Sequence, residues 1–159
     1  MHIESTRFGT IEIRDDALID FPDGLIGLTG RRYALLVQSE DSPFHWLHSA
    51  DDPGLALPVT NPWLFFADYD IRVSDEDVRQ LGLGAPEEAD IFCVVRAGEQ
   101  LEDFMVNLAA PIVIHAAKAI GRQILNDAHG YAVRQHLFAE VELADVRPAA
   151  PVSVAAVPG

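Results

Sequence analysis

One cysteine in 159 residues, and eleven basic residues set against 25 acidic ones, are the shortages of this chain. Each excludes something. The lone Cys93 leaves no internal disulfide and no cysteine zinc cluster. Set in the apolar run IFCVV, it reads as a buried, inert thiol. The shortage of Lys and Arg, with a formal net charge of −14, argues against direct nucleic-acid binding, which rests on cations neutralising phosphates. No apolar run approaches the roughly 18–20 residues that cross a bilayer, so no membrane span is expected. The amino-terminal MHIESTRFGTIEIRDD alternates and carries acids, unlike a signal peptide. The expectation is a cytoplasmic protein.

What is there is apolar and patterned. A hydrophobic content of 49% is ordinary for a globular chain of this length, long enough to bury a core. The organisation reads as one domain over residues 1–147 and a low-complexity tail, PAAPVSVAAVPG, over 148–159, expected to be disordered. Charge is unevenly spread. Residues 40–103 carry fifteen acids against Arg72, Arg79 and Arg96, a net −12. Such a field steers a basic protein partner and keeps a protein soluble; composition alone fits both.

Along the chain, short β patterns are separated by Gly, Pro and Asp. Residues 3–8 and 10–14 flank Gly9 as a hairpin. The stretch 15–20 fits a helical turn or an extended segment. FPDGLIGLTG is a glycine loop without the dinucleotide fingerprint. Residues 33–38, 44–49, 55–60, 63–66, 69–73, 91–97, 104–108, 111–115 and 123–125 read as strands. In 69–73, alternation puts Asp70 and Arg72 on one face. The one clear helix starts at Ser74, whose hydroxyl and Asp77 form a near capping box, and ends at Gly82. Residues 85–88 suggest a further turn, and AAKAIG (116–121) a hairpin turn. The fold class expected is mostly β: a compact, antiparallel, barrel-like single domain with one or two short helices.

Chemistry is sparse. His45 and His48, three apart on a strand, point to opposite faces and do not chelate. No zinc motif, nucleophile elbow or P-loop appears, so no catalytic, metal or cofactor residue is assigned. The acid doublets Asp15-Asp16, Asp51-Asp52, Glu87-Glu88 and Glu102-Asp103 keep open an alternative, a small acidic β-barrel hydrolase using a carboxylate pair, which needs burial to shift one pKa. Trp46, Trp63, Phe65 and Phe66 read as barrel core rather than a stacking platform. Asn107 reads as an amide satisfying a turn and Pro111 as a strand-edge proline.

The runs FPDGLIGL, FHWLHSADDPGLALPVTNPWLFFADYD, VSDEDV, FMVNLAAPIVI and GRQIL resemble, in collinear order from about Ile3 to His136, the FliW flagellar assembly factor family. The sequence departs from the family pattern at Ala67, usually proline, at Leu57-Pro58 in place of an aromatic strand centre, and at His115, where asparagine is common. The resemblance implies a non-enzymatic β-barrel-like protein that binds flagellin. It also implies binding to the RNA-binding translational repressor CsrA, antagonising it until flagellin accumulates and takes its place. The docking face expected for a basic partner is acidic: Asp51, Asp52, Asp68, Asp70, Asp75, Glu76 and Asp77, with capping an equal reading for the last three.

Overall fold

Twelve short strands, one α-helix and five 3-10 turns make up the computed structural model, which describes residues 1–37, 39–126 and 130–140 and the backbone of 153–154. The first two strands, β1 (His2–Ser5) and β2 (Gly9–Glu12), form a separate antiparallel hairpin. Gly9 is not its tip: it opens β2 at φ 76°, opposite Ser5. The turn is residues 6–8, where Ser5 Oγ accepts from the N–H groups of Arg7 (3.2 Å) and Phe8 (3.0 Å). The ambiguous stretch 15–20 is both things in succession, a 3-10 turn over Asp15–Ala17 and then β3 (Leu18–Asp20).

Next come β4 (Arg32–Val37), β5 (Phe44–Ser49), β6 (Ala56–Thr60) and β7 (Ala89–Arg96). After them follow β8 (Met105–Val106), β9 (Ile112–His115), β10 (Ile120–Gln123), β11 (Gln135–His136) and β12 (Ser153–Val154). Strands β3 to β7 pair in order, β7 pairs with β9 and β9 with β10. β10 then lies parallel to β3 at Ile120 and Asp20, closing a seven-strand barrel whose other pairings are antiparallel. At that seam a Cβ on Gly121 would collide with the Phe21 ring, so glycine permits the closure.

Alternation explains the wall. Tyr33 and Leu35 of β4, Leu47 of β5, Val59 of β6, and Ile112 and Ile114 of β9 fill the interior with Ile19 and Phe21. The outward residues of β4, Ala34 and Leu36, are covered by Ile3, Ile11 and Ile13 of the β1–β2 hairpin. A strand buried on both faces is a continuous apolar run, which is why YALLV shows no alternation.

Strand β7 serves two sheets. Its first half closes the barrel against β9, while Val95 and Arg96 pair with β8, and β8 pairs with β11. Val95, Val106 and Leu137 on one face of this flap pack on Phe65, Phe66, Tyr69 and Phe138, a second core outside the barrel.

Four expectations are corrected here. Residues 63–66 are not a strand: Pro62–Leu64 is a 3-10 turn, because Asn61 Oδ1 accepts from Trp63 N–H (2.9 Å) and Pro62 starts it without a donor. Residues 69–73 pair with no strand, although Tyr69 is buried and Asp70 and Arg72 are exposed as their alternation predicts. The strand placed at 123–125 is β10, three residues earlier, because the turn before it closes at Ala119 in the left-handed region (φ 51°). The aromatic residues of this region are not barrel core. Trp46 packs edge-on to Phe8 beneath the hairpin (5.5 Å), with the Arg7 guanidinium 4.7 Å over its ring. Trp63 is 38% exposed, and Phe65 and Phe66 lie in the second core.

The helix stands where its capping signals put it. α1 (Asp75–Leu81) begins at Ser74, whose Oγ accepts from Asp77 N–H at 3.1 Å, and ends at Gly82 in the left-handed conformation, φ 64°. Leu81 packs on Val113 and Ile124 against the outer wall of β9 and β10. Asn107 closes its turn as read, accepting from the N–H groups of Ala109 and Ala110, both at 3.1 Å. The tail 148–159 lies outside the described residues except for the backbone of β12, which pairs with Leu36 and Val37 of β4.

Candidate functional site

The seven acids singled out by the sequence sit on two elements. Asp51 and Asp52 occupy the β5–β6 turn, where Ser49 Oγ accepts from both of their N–H groups (3.1 and 2.9 Å). Asp52 Oδ1 accepts in turn from Gly54 N–H at 2.9 Å, and Asp51 pairs with Arg32 at 3.1 Å. This turn packs on the hairpin through Thr6 N–H to Pro53 O, 2.9 Å. Both carboxylates face solvent and lie close enough to the buried Tyr33 hydroxyl to help burial raise its pKa.

The other five lie on the excursion 61–77 that leaves β6 and returns through α1. Asp68 is exposed in the turn before Tyr69. Asp70 is held by its backbone: its N–H donates to Tyr131 Oη (2.8 Å) and its carbonyl accepts from Asn126 Nδ2 (2.9 Å). Asp75 and Glu76 are exposed in the first turn of α1, where negative charge complements the helix dipole. Asp77 is different. One oxygen accepts from Ser74 Oγ (2.9 Å) and the other meets Arg122 Nε of β10 (3.1 Å).

A polar hub that the sequence did not reveal fixes this excursion. Asn126 donates to Tyr69 Oη (3.1 Å) and to Asp70 O, while its Oδ1 accepts from Arg72 N–H (3.3 Å). Tyr69 Oη donates to Leu108 O at 2.7 Å. Asn126 is 2% exposed, so these bonds form away from water. Nothing local distinguishes Asn126 in sequence; its partners are more than fifty residues away.

Between the excursion, α1 and the start of β7 lies an apolar groove of about 600 Å³, lined by Trp63, Ile71, Val73, Val78, Leu83 and Pro86. Asp90 stands at its edge, exposed at its tip, and partial desolvation by the walls raises its carboxyl above the usual range. The loop forming one wall is held from behind by Glu88. Its Oε1 accepts from Gly84 N–H (2.9 Å) and its Oε2 meets Nε2 of the buried His115 (3.1 Å). His115 Nδ1 donates to Leu81 O at 2.8 Å, so this histidine is part of the framework.

All four acid doublets lie exposed in turns, without the burial that a catalytic carboxylate pair needs. Glu88, the acid nearest Asp90 in the chain, already uses both oxygens. His45 and His48 do face opposite sides. His45 packs edge-on to Phe92 (5.8 Å), while His48 lies under the hairpin, donating from Nδ1 to Ser49 O (2.7 Å) and accepting at Nε2 from the Ser5 hydroxyl (2.8 Å). Among the described residues no three His, Cys, Asp or Glu side chains converge as metal ligands, and no helix is long and apolar enough to cross a membrane.

Comparison with known proteins gives this architecture a family. A family model described as FliW protein matches residues 2–137. The flagellar assembly factor FliW of Desulfitobacterium hafniense strain Y51 is 36% identical over 146 residues, covering 91% of this chain and 96% of that protein. The flagellar assembly factor FliW of Magnetococcus marinus is 38% identical over 140 residues, covering 87% and 85%. A crystal structure of the flagellar assembly factor FliW superposes with a TM-score of 0.81 at 27% identity, covering 88% of this chain and 99% of that one.

Proposed function

Because the chain belongs to the FliW family of flagellar assembly factors, we propose that it works by protein–protein binding in the cytoplasm. In this reading it captures flagellin, and when flagellin is scarce it captures and antagonises the translational repressor CsrA. The observation that carries the reading is the concentration of charge: net −12 over residues 40–103, most of it on outward-facing turns. An RNA-binding repressor must present cations, and a field of this sign speeds its encounter and disfavours RNA at the same surface. Exchange of one partner for another needs only a difference of affinities, not a reaction.

Co-purification tests it. The immobilised protein is expected to retain both flagellin and CsrA, with CsrA capture weakening as salt rises, since exposed charges are screened within about 10 Å at 0.1 M. Retention of neither protein ends the reading. Within it, Asp68 and Asp70 belong to the docking face. The double change Asp68→Lys, Asp70→Lys is expected to slow CsrA association at least severalfold while leaving the thermal transition in place. Unchanged association removes both residues from the face.

A further inference from the structure

At the mouth of the barrel the surface chemistry reverses. The face of the β7–β8–β11 flap opposite the second core carries Val94 and Arg96 of β7, Met105 of β8, and Asn107 and Arg134 beside the strand ends, since residues two apart share a face. Across from it stand Leu25, Ile26 and Leu28 of the glycine loop, and Leu57 of β6. Together with Val133 they enclose a cleft of about 300 Å³. Ile26 is 61% exposed and Val133 62%. Large aliphatic side chains left this open and adjacent mark a surface that something covers.

The polar groups of the cleft divide into used and unused. Gln123 accepts from Ile26 N–H (2.8 Å) and donates to Ala110 O (3.0 Å), which holds the glycine loop against β10. Asn107 is closed on its own turn. Arg96 and Arg134 remain: both are exposed, and no carboxylate among the described residues pairs with either. In a protein with 25 acids and eleven bases, two unpaired guanidinium groups on one apolar cleft define the charge of its complement. A guanidinium fork matches a carboxylate in a way an ammonium does not.

We infer that the barrel mouth is a docking cleft for a protein partner's extended segment that combines aliphatic side chains with carboxylates. This is a second surface, opposite in chemistry to the acidic turns, and it takes a different class of partner. Nucleic acid would also offer anions to the arginines, but the cleft holds no aromatic side chain on which a base could stack, and the surrounding field repels a polyanion. At about 300 Å³ it is at the small end of ligand sites, about 300–1,000 Å³, and seats a short run of side chains. The inference rests on the reading of the chain as a binding protein, but on neither partner named above.

The test is selection of random twelve-residue peptides displayed on phage against the intact protein, followed by fluorescence anisotropy of the enriched peptides. The expected consensus mixes Leu, Ile, Val or Met with Asp or Glu. Affinity is expected to fall at least tenfold in the double variant Arg96→Glu, Arg134→Glu and about as much in Ile26→Asp. Circular dichroism and the thermal midpoint of each variant establish that the fold is kept. Enrichment of basic peptides, enrichment that survives all three substitutions, or no enrichment overturns the inference. CsrA capture by the arginine double variant separates the two claims: retained capture leaves the proposed function standing whatever the peptides do.

Discussion

Arg122 of β10 holds Asp77 of α1, Nε to Oδ1 at 3.1 Å, and the same guanidinium reaches Asp23 at 3.4 Å. The carboxylate is therefore engaged from two sides, by the Ser74 cap and by a cation of the barrel wall. It ties the helix to the barrel more than it advertises charge.

Asp77→Asn is accordingly expected to cost about 1 kcal/mol in stability, the scale of a lost cap contact and a partly exposed ion pair. Asp75→Asn, in the same first turn but exposed, is expected to change stability by less than about 0.5 kcal/mol. Urea denaturation of the two variants checks this, and an equal cost would remove the Arg122 contact as the reason.

Removing the Asn126 amide leaves Arg72 N–H and Asp70 O without their buried partner. An unsatisfied buried polar group costs about 1–3 kcal/mol. Asn126→Ala is expected to lose stability in that range and to speed hydrogen exchange at Arg72 far more than in the barrel strands. A uniform rise in exchange would mean that the hub supports the whole fold and not the excursion.

Burial lowers the pKa of His45, with the Phe44 carbonyl partly opposing. The unfolded chain, with an ordinary histidine near 6.5, then takes up a proton first as pH falls. Where it holds more protons than the native state, stability rises with pH. The contribution is complete above about pH 6.5 and shrinks as pH drops through the window below. His45→Gln is expected to flatten the urea midpoint against pH over that window; an unchanged slope would assign the pH dependence elsewhere.

Cys93 is fully buried in the second core, and desolvation pushes its thiol up to about 12, against the opposing effect of a hydrogen bond with Tyr69. The thiolate is the reactive form. At about pH 8 the native protein is expected to leave Ellman's reagent unchanged and to yield one equivalent only in denaturant. Fast native reaction would show that the second core opens.

The sequence by itself determined what depends on neighbours in the chain. Ser74, Asp77 and Gly82 bound the helix because a cap and a left-handed stop act within a turn. The strand read at 44–49 is β5, and the family resemblance held over the whole barrel. Tertiary structure decided the rest, and for one reason: the deciding partners are distant. Residues 61–73 have the composition of strands, but Asn61 and Pro62 start a turn and Asn126 then holds the returning chain, so the segment becomes an excursion with a core of its own. The acidic run is plain in the sequence. That Asp77 is bound to Arg122, while among the described residues no carboxylate pairs with Arg96 or Arg134 over an apolar mouth, is not, because pairing across a barrel is set by its register and closure.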